Sequence, residues 1–315
     1  MKPVLFAGTR PYGRAENITA IYDAYPGEKK YIQVSGSNTD PAMFSGQYDV
    51  LVIDDFVAPN PCKTIMIWHG IQGGKYIGFD QPNGYLTEEK INTVDYVISA
   101  SHGAIPMWKS CTGLPAEKIL PLGMPRTDQY VGKRKGDGHT ALADKRAYLF
   151  VPTFRWYYEP EPFKIDFGLF DDMLHDDEVL AVKMHMVDGR SLKRQYRHIV
   201  EVSQEEPSAP YLMDCDVVIT DYSSILFDGY LLNKPGVLYE PYPGYTSARG
   251  MYMKYPEEYC STKPARTEEE LINLVRRADS LGITEYECLH RVADMCDGHS
   301  CRRLIKLINE LNGGN

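Results

Sequence analysis

No run of about 18 apolar residues occurs in this 315-residue chain, so the sequence offers no membrane-spanning helix. The apolar part of Met1-Lys-Pro-Val-Leu-Phe-Ala-Gly8 is too short for a secretory signal and reads as a first strand. Cys-x-x-Cys is absent, and the seven cysteines (62, 111, 215, 260, 288, 296, 301) form an odd set, expected as free thiols of a cytoplasmic protein. Cys288, His290, Cys296, His299 and Cys301 crowd together, but their spacing fits no common zinc pattern, and no metal or cofactor is expected. Positive charge is in deficit: a formal net charge of −9 argues against nucleic acid as a partner. The segment Gly8-Thr-Arg-Pro-Tyr-Gly13-Arg14-Ala15 has P-loop glycine spacing without the Lys and Ser/Thr that hold phosphate and magnesium, and lacks the third glycine of a dinucleotide fingerprint. No Asp-x-Asp pair marks a metal-dependent sugar-nucleotide site, and Asp54-Asp55 and Asp171-Asp172 are adjacent pairs that would point apart on a strand. Repeats and low-complexity tracts are missing too.

What is present alternates strand with helix, the pattern of an α/β protein. Strands are expected at 4–7, 31–34, 50–53, 64–68, 96–100 and 119–122, with helices over 15–24, around 82–92 and over 104–111. A Gly- and charge-rich run between Tyr130 and Asp144 is the best linker. The pattern then restarts with strands at 147–151, 179–184 and near 199–202, helices at 167–174 and 210–214, and three closing helices at 268–278, 285–296 and 300–311. Between them lies the most informative stretch, Asp216-Val-Val-Ile-Thr-Asp-Tyr-Ser-Ser224: a β-branched buried strand running into a helix whose N-cap is Ser223 or Ser224. The helix start offers free N–H groups to an anion. The bland alternative is an ordinary capped helix.

Chemistry-bearing residues gather just past strand ends, where open parallel sheets place their ligands. His69 in Trp68-His69-Gly70 is a candidate general base or a loop-capping residue, and Lys75, after Gly73 and Gly74, could approach a phosphate. Arg126 could clamp a phosphate or pair with a domain carboxylate, while Thr127 or Asp128 could cap the next helix. Arg155 sits among aromatics, to hold a base and phosphate or to stack in a packed cluster. His185 ends its own strand, and Asp228 follows the Asp221-Tyr222-Ser223-Ser224 corner by about one turn. Arg249-Gly250 closes the loop from Glu240. Two histidines, several cations and a helix N-terminus fit phosphoryl or diphosphate chemistry run by positioning and cation electrostatics.

Taken in order, these motifs resemble the CDP-glycerol glycerophosphotransferases of teichoic acid and related polyol-phosphate polymer synthesis. The matching pieces are Gly13-x-x-x-Asn17, Trp68-His-Gly70, Lys75-x-x-Gly78-Phe-Asp80, Leu122-Gly-x-Pro-Arg-x-Asp128, Pro152-Thr-Phe-Arg155, Lys183-x-His185, Asp216 to Ser224, Phe227-Asp228, Lys234-Pro235, and Tyr245 with Arg249-Gly250. The resemblance implies a GT-B-like α/β fold, two Rossmann-type domains with a cleft between them: an acceptor-side domain over 1–143 and a donor nucleotide-binding domain with C-terminal helices over 144–315. It implies an enzyme that moves glycerol phosphate, or a related alditol phosphate, from CDP-glycerol or CDP-ribitol to a hydroxyl of a lipid-linked saccharide or polymer, releasing CMP. The alternatives are a GT-B glycosyltransferase using an NDP-sugar and a non-catalytic binding protein. Carried over residue by residue, His69 is the general base, His185 lies near the donor diphosphate, and Ser223 and Ser224 are phosphate ligands. Lys75, Arg126, Arg155, Asp221, Asp228 and Arg249 complete the expected substrate-binding set. The implied location is cytoplasmic, with peripheral contact at the inner face of the membrane; one candidate surface is the basic run 190–197, although such a run is more often a solvated helix face.

There are departures from the family pattern. The loop before Lys75 is longer, Met186 follows His185 where the family has Pro, and Gly229 replaces a large aromatic, which would leave room beside Asp228. The long N-terminal extension of polymerising members is absent, which favours single addition.

Overall fold

The computed structural model describes residues 2–14, 16–34, 40–44, 46–56, 60–80, 86–153, 165–185, 191–192, 194–241 and 250–313. These divide into two compact units, one of residues 1–131 with 290–315 and one of residues 132–289.

The first unit carries a six-stranded, wholly parallel sheet. Its strands are β1 (Val4–Gly8), β2 (Lys29–Gln33), β3 (Val50–Ile53), β4 (Lys63–Ile67), β5 (Tyr96–Ser99) and β6 (Ile119–Pro121), in the order β2-β1-β3-β4-β5-β6. β1 and β3 are buried throughout, as strands covered on both faces must be, which is why their sequences read as continuous apolar runs rather than as alternation. Among the helices that accompany them are α1 (Glu16–Ala24), α2 (Glu88–Ile91) and α3 (Ile105–Thr112). β2 begins two residues before the expected strand, because Lys29 pairs with Val4 across the ladder while its ammonium is held by the carbonyls of Tyr22 and Tyr25 at the end of α1, 2.6 and 2.7 Å away. Of the helix expected around 82–92, residues 81–85 lie outside the described residues, and only Glu88–Ile91 is helical.

The second unit repeats the scheme with five parallel strands: β7 (Arg146–Phe150), β8 (Glu178–Val182), β9 (Ile199–Glu201), β10 (Val217–Thr220) and β11 (Gly236–Leu238), ordered β11-β10-β7-β8-β9. Its helices are α4 (Phe167–Met173), α5 (Ala209–Asp214), α6 (Ile225–Leu231), α7 (Glu268–Arg277) and α8 (Ile283–Ala293), the last crossing the unit boundary. One face of the sheet packs Tyr148, Phe150, Val182 and Ile219 against Leu271, Ile272 and Val275 of α7. At the strand N-termini Glu178 is locked by Arg276 and by the Tyr148 hydroxyl. Burial disfavours its charge, yet Arg276, Tyr148 and the His175 N–H together hold it down at about 2.

Two structural expectations change. The 130–144 run is not a free linker. The N–H groups of Gly136, Gly138 and Thr140, with the Thr140 hydroxyl, all donate to the buried Asp214 carboxylate at 2.7–3.0 Å. Gly138 is required there, since a Cβ would meet the Pro210 carbonyl at 2.0 Å. One Asp-x-Asp pair, Asp214-Cys215-Asp216, does occur, against the expectation from sequence, but both carboxylates are taken up in holding the backbone: Asp216 accepts from Lys135 and from the Ala147 N–H. The unit boundary consequently falls after Val131 rather than after residue 143. The C-terminal helix, α9 (Ser300–Leu311), likewise belongs with the first unit. Asp128 caps it from the 123–128 turn, accepting from the N–H groups of Ser300 and Cys301 at 2.9 and 2.8 Å, and Arg303 ties it to the Leu122 carbonyl.

Candidate functional site

In the first unit the candidate residues surround the end of β4. Trp68 is buried, with its ring 6.4 Å from that of Trp108, whereas His69 is exposed. The imidazole lies 4.5 Å from the Trp68 ring at a tilt of 32°. The backbone at this point has left the β ladder, and side chains take over the pairing of its carbonyls. Asn17 Nδ2 on α1 donates to the Trp68 carbonyl at 2.8 Å, and an Arg126 guanidinium nitrogen donates to the His69 carbonyl at 3.0 Å. The same nitrogen meets Glu16 at 2.9 Å, and the Arg126 N–H donates to Asn17 Oδ1 at 3.1 Å. Arg126 is 6% exposed. Its contacts therefore follow the domain-pairing alternative, and a phosphate clamp would have to compete with Glu16 for a buried guanidinium. Past Gly73 and Gly74, Lys75 is half-buried.

One strand over, Asp54 follows β3 and accepts the Thr9 N–H at 2.8 Å. Burial pushes this carboxyl up to about 6, against the pull of its Thr9 hydrogen bonds. Burial, with the nearby Asp54, also raises the Tyr31 hydroxyl to about 12. In sequence Asp54 is half of an adjacent pair whose side chains would point apart on a strand. Its place directly after a four-residue apolar strand was the available signal.

In the second unit the strand ends of β7, β8 and β10 carry the candidates. Asp221 and Asp228, expected to meet substrate, are both 0% exposed. Asp221 Oδ1 accepts from the Thr153 N–H (3.1 Å), the Thr153 hydroxyl (2.7 Å) and the Tyr222 N–H (2.6 Å), so it fastens the loop after β7 to the end of β10. Asp228 is buried within α6. Beside it Gly229 leaves no free room: a Cβ there would lie 2.8 Å from Val218 Cγ2, so the glycine lets α6 lie close on β10. Ser223 and Ser224 are half-buried at the start of α6; Ser224 is the N-cap residue, and its hydroxyl makes no capping bond to the helix. His185 is half-buried three residues beyond β8. With the order β10-β7-β8, the strand it follows lies two strand spacings, about 10 Å in the sheet plane, from β10. Glu240, past β11 and at the start of a stretch expected only as a loop, is buried and paired with Arg266 at 3.1 Å; burial raises its carboxyl despite that pairing.

Arg155 and Arg249 lie outside the described residues. The basic run 190–197 is described at 191–192 and 194–197, where it is not helical; Arg197 pairs with Asp176 at 2.8 Å, and Arg194 covers the Tyr196 ring. Among the described residues no three His, Cys, Asp or Glu side chains are gathered as a metal site.

Two parallel sheets flanked by helices, each with polar residues just past its strand C-termini, define an α/β protein of the GT-B-like class built from two Rossmann-type units. Among solved structures the wall teichoic acid polymerase TagF matches with a TM-score of 0.77 and 18% identity, over 98% of this chain and 89% of that one. The chain belongs to the CDP-Glycerol:Poly(glycerophosphate) glycerophosphotransferase family, whose model matches residues 41–310. The teichoic acid poly(ribitol-phosphate) polymerase of Bacillus spizizenii is 25% identical over 82% of this chain and 46% of its own length. The teichoic acid glycerol-phosphate primase of Bacillus subtilis is 28% identical over 79% of this chain and 68% of its own. The chain spans about half the length of the first curated relatives it matches.

Proposed function

We propose that this chain transfers an alditol phosphate from a CDP-alditol to an acceptor hydroxyl and releases CMP. The observation that carries the reading is that one family match, residues 41–310, spans both the exposed His69 past β4 and the Ser223-Ser224 corner past β10. The acceptor oxygen attacks the alditol-side phosphorus, the phosphorus–oxygen bond to CMP breaks, and the acceptor proton passes to His69. Ser223 and Ser224 receive phosphate oxygens at the start of α6, with His185 beside the diphosphate. Lys75, Arg155 and Arg249 are the cations of the site. Asp221 builds the serine corner from beneath, consistent with its burial. The acceptor is a lipid-linked or polymeric alcohol met at the inner face of the membrane through peripheral contact; no helix among the described residues is long and apolar enough to cross it.

The test offers purified protein CDP-glycerol, CDP-ribitol and a panel of NDP-sugars with polyol-phosphate acceptors, and measures the nucleotide released. CMP from a CDP-alditol supports the reading. UDP or GDP from an NDP-sugar replaces it with a glycosyltransferase, and binding without turnover replaces it with a binding protein. His69→Ala lowers kcat by about 10²–10⁴-fold with donor affinity nearly intact; near-wild-type turnover would remove His69 from the role of base.

A further inference from the structure

We infer that Asn17 and Arg126 are positioning residues for His69, holding the backbone that aims its imidazole. The inference rests on the reading of His69 as the base. β4 ends at Ile67, so the next two carbonyls, of Trp68 and His69, need partners from elsewhere. Each receives a buried side-chain donor: Asn17 Nδ2 at 2.8 Å on Trp68 and Arg126 at 3.0 Å on His69. These carbonyls belong to the peptide planes on either side of the His69 Cα. Anchoring both planes fixes φ and ψ of His69, because the peptide unit is rigid. The direction of its Cα–Cβ bond then follows, and the Trp68 ring, 4.5 Å away, limits the remaining rotation.

The two anchors are themselves coupled. The Arg126 N–H donates to Asn17 Oδ1 at 3.1 Å, and Glu16, next to Asn17 on α1, pairs with the Arg126 guanidinium at 2.9 Å. Asn17 is 1% exposed. A closed set of contacts thus runs from α1 through Arg126 to the β4 end, and the exposed His69 side chain stands on a fixed base. In this role Arg126 acts through the His69 backbone carbonyl.

The test is a double-mutant cycle with His69. Asn17→Ala should lower kcat by about 10–100-fold while leaving the KM for the CDP-alditol within about twofold, the cost of a base displaced by a fraction of its reach. In a His69→Ala background the same substitution should cost nothing further, because the group being aimed is gone. Arg126→Lys, which keeps the pairing with Glu16, should restore part of the kcat lost in Arg126→Met. Losses that multiply in the double variant, or an unchanged kcat in a folded Asn17→Ala protein, overturn the inference. If Asn17→Ala does not fold, Asn17→Asp serves: it keeps the acceptor for the Arg126 N–H and opposes a carboxylate oxygen to the Trp68 carbonyl. Should the wild-type protein turn over no CDP-alditol, the functional reading fails by itself. The positioning inference is then read from the isotope-labelled His69 imidazole by NMR, whose signals should shift or broaden in Asn17→Asp; unchanged signals overturn it.

Discussion

Both units fasten the loop after their first strand with a buried aspartate from the neighbouring strand, but they provide for that aspartate differently. In the first unit Asp54, past β3, takes the Thr9 N–H after β1. In the second, Asp221, past β10, takes two donors of Thr153 after β7 and the Tyr222 N–H as well. The topology is the same, since β1 neighbours β3 and β7 neighbours β10. The well-provided Asp221 makes a stiff corner under the serines. Asp54, with fewer donors, sits where burial outweighs its hydrogen bonds and raises its carboxyl to about 6. The same latch can therefore be tied by three donors or by fewer, depending on what the adjoining loop delivers.

The sharpest way to break this comparison is Asp221→Ala. It strands three donors at a fully buried position, at about 1 kcal/mol or more each, so a loss of about 3–5 kcal/mol is expected in denaturant unfolding. A loss under about 1 kcal/mol would show that the corner does not depend on the latch. Asp54→Asn should act in the opposite direction. Native Asp54 binds its proton more tightly than the unfolded chain does, so wild-type stability falls as pH rises from about 4 to about 6 and is level above that. The fall attributable to this group is up to about 3 kcal/mol. Asp54→Asn should flatten that interval and stabilise the protein at pH 7, as measured by urea midpoints across pH; a steeper dependence would contradict the assignment. Asp128→Ala, which uncaps α9, should cost about 1–2 kcal/mol and leave the second unit's unfolding unchanged by hydrogen exchange. Gly229→Ala is expected to have the smallest effect, about 1 kcal/mol from overpacking against Val218. A stabilising outcome there would restore the idea of open room beside Asp228.

Strand and helix positions were legible because their causes are local. The β-branched run 217–219 and the apolar 50–53 segment needed no partner to be read as strands, and β3 begins and ends where expected. The strand-end location of His69, His185 and the serine pair followed from the same runs. Roles that depend on distant partners were not legible. Arg126 could be a clamp or an ion-pair partner until Glu16, 110 positions away, was seen beside it. The Gly-rich 130–144 run has the composition of a linker, and only the Asp214 carboxylate, 74 to 78 positions on, turns it into a fixed loop.

The amino-acid order alone determined that this protein would be two successive parallel α/β arrays with imidazoles and hydroxyls just past strand ends, since apolar runs, caps and turns act over a few residues. Tertiary structure decided which polar groups face solvent and which are consumed in holding the backbone. It sent Asp221, Asp228 and Arg126 inward and returned α9 to the first unit. The reason is that a buried carbonyl or carboxylate must find its hydrogen-bond partner wherever the folded chain brings one, at any separation in sequence.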